Sequence, residues 1–320
     1  MSWLRGDPID DVIQLLRPRT VVSAELRAAG RWGIRFQGYP HVKFGTVVAG
    51  HCVILLEGQR RVVRCEAGDV YLLGNPPPYV MASDATAPRL EAHALFSRVT
   101  DGVVTLGAAG TAPATHIVGG HFVFDASNAH LLMRALPPIL RVPAASAGPL
   151  RELAGLLVRE LAEPRPGRGL VLDRLSQLML VHAMRSADLA GMRRRASWLQ
   201  ALADPRIGLA LRRIHADARA RVSLGELASA AGMSRSAFAA RFKQLVGRPP
   251  LDYAIGWRMD LARDALRTTE RTVGELAFAF GYESESAFST AFRRVVGMSP
   301  RAYRQRARTS AVPPGKALAE

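Results

Sequence analysis

A stretch of this chain occurs twice. Ser223-Leu-Gly-Glu-Leu-Ala-Ser-Ala-Ala-Gly-Met-Ser234 lies over Thr272-Val-Gly-Glu-Leu-Ala-Phe-Ala-Phe-Gly-Tyr-Glu283. After a one-residue insertion the match resumes, with Ala237, Phe238 and Phe242 over Ala287, Phe288 and Phe292. Val246, Gly247 and Pro250 then answer Val296, Gly297 and Pro300. A repeat means one supersecondary unit built twice, so whatever each copy folds into must be compact within about 25 residues.

Each copy reads as a helix, a tight turn and a second helix. Ser223 and Thr272 are good N-caps, and Glu226 and Glu275 three residues on complete a capping box. Leu227, Ala228, Leu276 and Ala277 face inward, the small alanine letting a second helix cross closely. Gly232 and Gly281 stand where the turn needs a left-handed backbone. Ser234 and Ser284 are placed to cap the next helix, and Phe238 with Phe242, like Phe288 with Phe292, are i,i+4 pairs that hold it on the core. Gly247 and Gly297 end it. One such helix pair is common in helical proteins. Two fully punctuated copies in a basic segment point to nucleic acid.

Charge supports that direction. The net charge is +16 over 320 residues. Between Arg193 and Arg308 there are 22 basic residues against 10 acidic ones, so that third of the chain carries most of the excess. Concentrated positive charge attracts polyanions. No run approaches 18 uninterrupted apolar residues, the length a membrane span requires. Acids and a proline occupy residues 1–11, where a secretory signal would be apolar. Two cysteines, Cys52 and Cys65, make no disulfide framework and fit a reducing compartment. A cytoplasmic location without membrane contact is the expectation.

The first half reads as strands. Thr46–Val48, Val53–Leu56, Arg61–Arg64 and Val70–Leu73 are short apolar runs, separated by Glu57-Gly58 and by Glu66-Ala67-Gly68-Asp69. Asn75-Pro76-Pro77-Pro78 cannot continue a central strand. Further strands are expected near Arg89–Arg98, Gly102–Leu106 and Thr115–Val118. Helical spacing takes over at Ser127–Leu136, Leu150–Leu161 and Leu170–Ala187. Met192–Ala196 is a polar, basic linker, everything from Asp204 reads as helix, and residues 307–320 read as a disordered tail.

Residues 204–306 resemble the DNA-binding domain of the AraC/XylS regulators. The second unit, from Gly281-Tyr-Glu-Ser-Glu-Ser-Ala-Phe288 through Phe292, Gly297, Pro300 and Tyr303, is close to that family's signature. Arg258-Met-Asp-Leu-Ala-Arg-Asp-Ala-Leu-Arg267 resembles its linker helix. The strand-rich half, with Gly120-His-Phe-Val-Phe-Asp125 and the helices after it, is similar to the cupin-like sensor of many such proteins. The expected fold is therefore α+β. It has a cupin-like β-barrel with flanking helices over 1–192 and an all-α domain over 204–306. That domain holds two helix-turn-helix units, about 223–247 and 272–297, joined by a linker helix from about Asp252 to Leu266.

The resemblance implies a one-component transcription regulator, with double-stranded DNA and RNA polymerase as partners, an activating role, a small-molecule or stress signal at the barrel, and a homodimer. It implies base contacts from Ser236, Ala239 and Ala240, and from Ser286, Ser289 and Thr290. It places Ser234, Ser284, Lys243 and Arg293 nearer the phosphates. Arg235 faces outward beside them. These base-facing side chains are small, which predicts modest discrimination per contact unless Arg235 or Arg241 swings into the groove. No catalytic residue, cofactor or metal site is expected. A cupin metal enzyme would need a converging histidine cluster. His41, His51 and Glu57 lie near one another in sequence and His93 could come from a later strand, but Pro78-Tyr79 stands where a ligand histidine is usual in cupins. Cys52 and Cys65 fall on neighbouring strands and are expected to face each other. Were they a redox pair, oxidation would change DNA affinity and Cys52→Ser would abolish the change.

Overall fold

The computed structural model describes residues 7–38, 41–60, 62–97, 102–107, 114–124, 136–163, 165–185, 198–217 and 219–309. The chain forms two compact units, one of residues 16–199 and one of residues 1–15 with 200–320.

The first unit is built on two sheets. β1 (Arg19–Ala28), β3 (Val42–Ala49), β6 (Val70–Gly74), β9 (Val103–Leu106), β10 (Thr115–Val123) and β11 (Leu140–Val142) form one, in the order β11-β6-β3-β10-β1-β9. β2 (Gly33–Phe36), β4 (His51–Leu56), β5 (Val62–Glu66), β7 (Tyr79–Ala82) and β8 (Leu90–Glu91) form the other, in the order β5-β4-β7-β2-β8. Alternate residues of both sheets meet in one core, including Leu26, Ile34, Val47, Ile54, Tyr71, Met81 and Ile117. The hairpin expected around Gly58 is present as β4 and β5.

Two expectations need correction here. The sheets do not close into a barrel. Their edge strands are three residues at β11, four at β9, five at β5 and two at β8, and among the described residues no ladder joins one sheet to the other. The segment Arg89–Arg98 is not one strand. After β8 it turns into helix α2 (Ala92–Phe96), whose Ala-His-Ala-Leu-Phe sequence lacks the β-branched residues that favour a pleated backbone. Helices α3 (Gly148–Ala162) and α4 (Arg168–Arg185) pack together as the spacing predicts, and α4 lies along β1. Asp173 of α4 accepts from the Thr20 amide at 2.7 Å. The helix expected over Ser127–Leu136 and the linker Met192–Ala196 lie outside the described residues, apart from Leu136.

The second unit is helical. It comprises most of α1 (Pro8–Leu16), then α5 (Trp198–Ala203) from Gln200 on, α6 (Ile207–Ala216), α7 (Leu224–Ala230), α8 (Arg235–Val246), α9 (Pro250–Thr268), α10 (Val273–Ala279), α11 (Glu285–Val296) and α12 (Pro300–Thr309). The sequence placed residues 1–192 in one domain, whereas residues 8–15 of α1 group here. The tail expected from residue 307 is helical to Thr309. The linker helix is α9, somewhat longer at each end than Asp252–Leu266.

Helix α9 serves two cores. Its Tyr253 and Trp257 are buried in the half that holds Phe238 and Phe242, and its Met259, Ala262 and Leu266 pack with Leu276, Phe288 and Phe292. Tyr253 meets Phe242 edge-on at 5.8 Å between ring centroids, and Tyr303 meets Phe292 in the same way at 5.7 Å. The repeat therefore extends to these tyrosines, each three residues after Pro250 or Pro300.

Candidate nucleic-acid interface

The two copies fold alike down to individual hydrogen bonds. Ser223 Oγ accepts from the Glu226 amide while Glu226 accepts from the Ser223 amide at 2.8 Å. Thr272 and Glu275 exchange the same pair. Both boxes satisfy donors that a helix start leaves open. Gly232 and Gly281 take φ of 61° and 76° at the turn, and Gly247 and Gly297 close α8 and α11 at 85° each. Ser234 Oγ accepts from the Ala237 amide and Ser284 Oγ from the Ala287 amide, which starts each second helix.

Phe238, Phe242, Phe288 and Phe292 are fully buried. With that face of α8 fixed inward, the helical period turns Arg235, Ser236, Ala240 and Lys243 to solvent, with Ala239 half-buried. On α11 the same geometry exposes Ser286, Thr290 and Arg293 and leaves Ser289 half-buried. Each copy thus presents the outward row that the sequence assigned to it. The rows are small side chains near the helix start and a cation farther on. Ser234 and Ser284 each spend an oxygen lone pair on capping, and the Ser234 hydroxyl also lies 3.4 Å from that of Ser236.

Arg241 is paired with Asp204. Its Nε and Nη2 reach Asp204 at 3.1 and 2.5 Å, and Asp204 also accepts from the amides of Arg206 and Ile207 at the start of α6. Burial pushes the Asp204 carboxyl up, but these bonds together outweigh it and hold it below its usual value. Arg235 lies over α7, where Gly225 leaves room; a Cβ there would meet the guanidinium at 3.1 Å. Glu285, at the first position of α11, is neutralised by Arg301 of α12 at 2.9 Å. Arg221 pairs with Glu283 at 3.0 Å. Sequence reasoning missed these ion pairs, since nothing in a one-dimensional pattern couples residues so far apart. It also missed Tyr253, although the Pro250 to Tyr253 spacing repeats Pro300 to Tyr303 and would have found it.

One further cluster lies behind α8. His215 of α6 is fully buried, 3.2 Å by Nδ1 from Asp11 of α1 and 2.8 Å by Nε2 from the Tyr253 hydroxyl. Its ring stacks on Trp257 at 4.1 Å. Burial holds the imidazole below its ordinary value, and Asp11 opposes that shift. This cluster is how residues 8–15 join the second unit.

The histidines weighed as metal ligands do not gather. His41 is exposed ahead of β3, His51 opens β4 across from Glu66, and His93 is exposed on α2. Glu57 accepts from Arg35 at 2.7 Å. Among the described residues no three of His, Cys, Asp or Glu form a group that could hold a metal ion. No described helix is long and apolar enough to cross a membrane.

Comparison with known proteins finds two families along the chain, the first of which takes in residues 7–15. A family described as cupin matches residues 7–187, and one described as a helix-turn-helix domain matches residues 227–306. A putative AraC-like transcription regulator of Streptomyces antibioticus is 36% identical over 301 residues, covering 93% of this chain and 98% of that protein. One of Streptomyces lividans is equally similar, 36% identical over the same shares. The HTH-type transcriptional regulator AlkR of Acinetobacter baylyi is 31% identical over 250 residues, 75% of this chain and 80% of its own.

Proposed function

The chain belongs to the AraC-like DNA-binding transcription regulators, and from that premise we propose that α8 and α11 enter successive major grooves on one face of a DNA duplex. The observation that carries this is the doubled, separately capped helix pair, with the same row of side chains turned outward in each copy. Ser236, Ala239 and Ala240, with Ser286, Ser289 and Thr290, face the base edges. Ser234, Lys243, Ser284 and Arg293 face the phosphates, and Arg235 faces outward beside them. Serine and threonine bond to several bases and alanine touches a thymine methyl, so each contact discriminates modestly. Phosphate neutralisation supplies much of the affinity. Helix α9, 19 residues long, spans roughly 28 Å at about 1.5 Å per residue. With the width of the flanking helices this suits recognition helices about 34 Å apart, one turn of DNA.

The same reading assigns residues 16–199 the sensing of a small molecule or stress signal, and joins two chains through that unit. Leu156 of α3 and Leu170 and Leu178 of α4 are large apolar side chains left exposed, which a second copy would cover. Contact with RNA polymerase, an activating role and work in the cytoplasm complete the proposal. An enzymatic role draws no support from the placement of the histidines.

Selection of bound sequences from a random duplex pool tests the DNA reading. Two short motifs about 10 base pairs apart are the expected result. Salt-sensitive binding that enriches no motif would refute base reading by these helices.

A further inference from the structure

The inner face of the larger sheet changes character at one end. Its rungs run across β6, β3 and β10. Val47 pairs with Ile117, then Tyr71 with Gly45 and Gly119, then Leu73 with Lys43 and His121. The first two rungs are apolar and packed. Tyr71 fills the space above Gly45 so fully that a Cβ there would sit 2.2 Å from its hydroxyl oxygen, and that hydroxyl also reaches Met81 Sδ of the facing sheet at 3.8 Å. The third rung carries a lysine and a histidine on the same face.

Lys43 points between the sheets. Its ammonium lies 4.7 Å from the ring centroid of Phe36 on β2 and 5.7 Å from that of Tyr79 on β7. Those two rings stack at 4.8 Å with 9° between their planes, and Phe96 of α2 stands 6.0 Å from Phe36. On the other side the ring of His41 lies 5.9 Å from that of His121. Burial alone draws the Lys43 amine down to about 8, and burial, His41 and Lys43 together depress His121. Lys43, His121, Phe36 and Phe96 are all half-buried, whereas Tyr71 in the layer beneath them is buried.

Amine and imidazole groups gathered on an inward face gain from an anion, which relieves both their mutual repulsion and their desolvation. Half-exposed aromatic rings beside them gain from a flat apolar body. We propose that this end of the sensor unit binds a small aromatic carboxylate, its carboxylate between Lys43 and His121 and its ring against Phe36 and Phe96. This rests on the reading of residues 16–199 as a sensor, and it places the effector at the mouth of the sandwich, above the packed Tyr71 layer.

The test is calorimetric titration of the full-length protein with benzoate, phenylacetate and cinnamate, and with the matching neutral amides. Operator affinity is measured in parallel. The carboxylates are expected to bind at least about tenfold more tightly than the amides. Lys43→Met is expected to lose at least about tenfold in carboxylate affinity, with unchanged melting and unchanged operator affinity in the absence of ligand, and Lys43→Arg to retain binding. Equal binding of the amides, undiminished binding by Lys43→Met, or no binding of any carboxylate in the millimolar range would overturn the assignment. Should a neutral ligand then alter operator affinity, the sensor reading would stand and only the site would fall. Should carboxylates bind through Lys43 without altering operator affinity, the site would stand and the sensor reading would fall.

Discussion

The side chains that matter most to DNA recognition are ones DNA does not touch. Phe242 and Phe292 have no exposed surface, and truncating either to alanine is expected to cost about 3–5 kcal/mol. Chemical denaturation of each variant checks this. Thr290→Ala should melt like the parent yet change base preference at one or two operator positions, read by repeating the duplex selection; no change in preference or affinity would place Thr290 outside the groove. The phenylalanines were legible because their four-residue spacing is itself the signal. Cys52 and Cys65 were legible for a related reason. Two strands joined across Gly58 put them opposite each other, and the ladder pairs them directly, both fully buried. The hydrogen bond that the Cys52 thiol shares as donor with Cys65, reinforced by burial, pushes that thiol well above its usual range. Thiolate is the nucleophile, so iodoacetamide is expected to leave the folded protein unmodified and to label both cysteines once it is unfolded. Labelling of the native protein would reopen the redox switch. Lys43 and His121 were not legible. They lie far apart in sequence, and only the β3–β10 register puts them on one face.

At the scale of elements, caps and edges decide the outcome. Ser223→Ala and Thr272→Ala each remove one half of a capping box and should cost about 1 kcal/mol, measured by thermal melting. Backbone and side-chain bonds from Ser223 and Thr272 hold the Glu226 and Glu275 carboxyls below their usual value. The sign follows from linkage: a depressed acid contributes above its unfolded value and loses that contribution as pH falls through the folded one. The helix starts should therefore loosen in acid, below pH about 4.5. Asp69 plays the corresponding part in the first unit. Buried at the turn before β6, it accepts from the amides of Glu66 and Ala144 and from Arg141 Nε, all within 2.8 Å, and so fastens β11. The helix-turn-helix elements were readable because each carries its own start and stop signals. The edge strands β8 and β11 were not. Two or three residues leave no periodicity to read, and the closure of a sheet depends on edges that sequence does not mark.

On the scale of the whole chain, the division into units differs from the linear one because one buried cluster outweighs chain order. His215 is neutral and enclosed by Asp11, Tyr253 and Trp257. Its lowered value means that the unfolded chain takes up a proton first. Stability from this group is therefore complete above pH about 6.5 and lost as pH falls through the lower folded value. Melting of the second unit should shift downward between pH 7 and pH 5, and His215→Gln should flatten that dependence at the cost of stability at pH 7. An unshifted melting temperature would mean that His215 is not held buried against Trp257. Nothing in a sequence couples residues 204 positions apart without an alignment or a structure, so this contact of α1 was not legible.

That pairing also dictates an order of events during synthesis. Asp11 leaves the ribosome long before its partner exists, and the strands of the first unit emerge and fold while it waits. Closing so long a loop is slow when the chain is free, and folding of the segment between shortens the search. Docking of α1 therefore belongs among the last steps of maturation. A nascent chain arrested before residue 215 should show its first helix accessible to protease while the β-sandwich is already resistant.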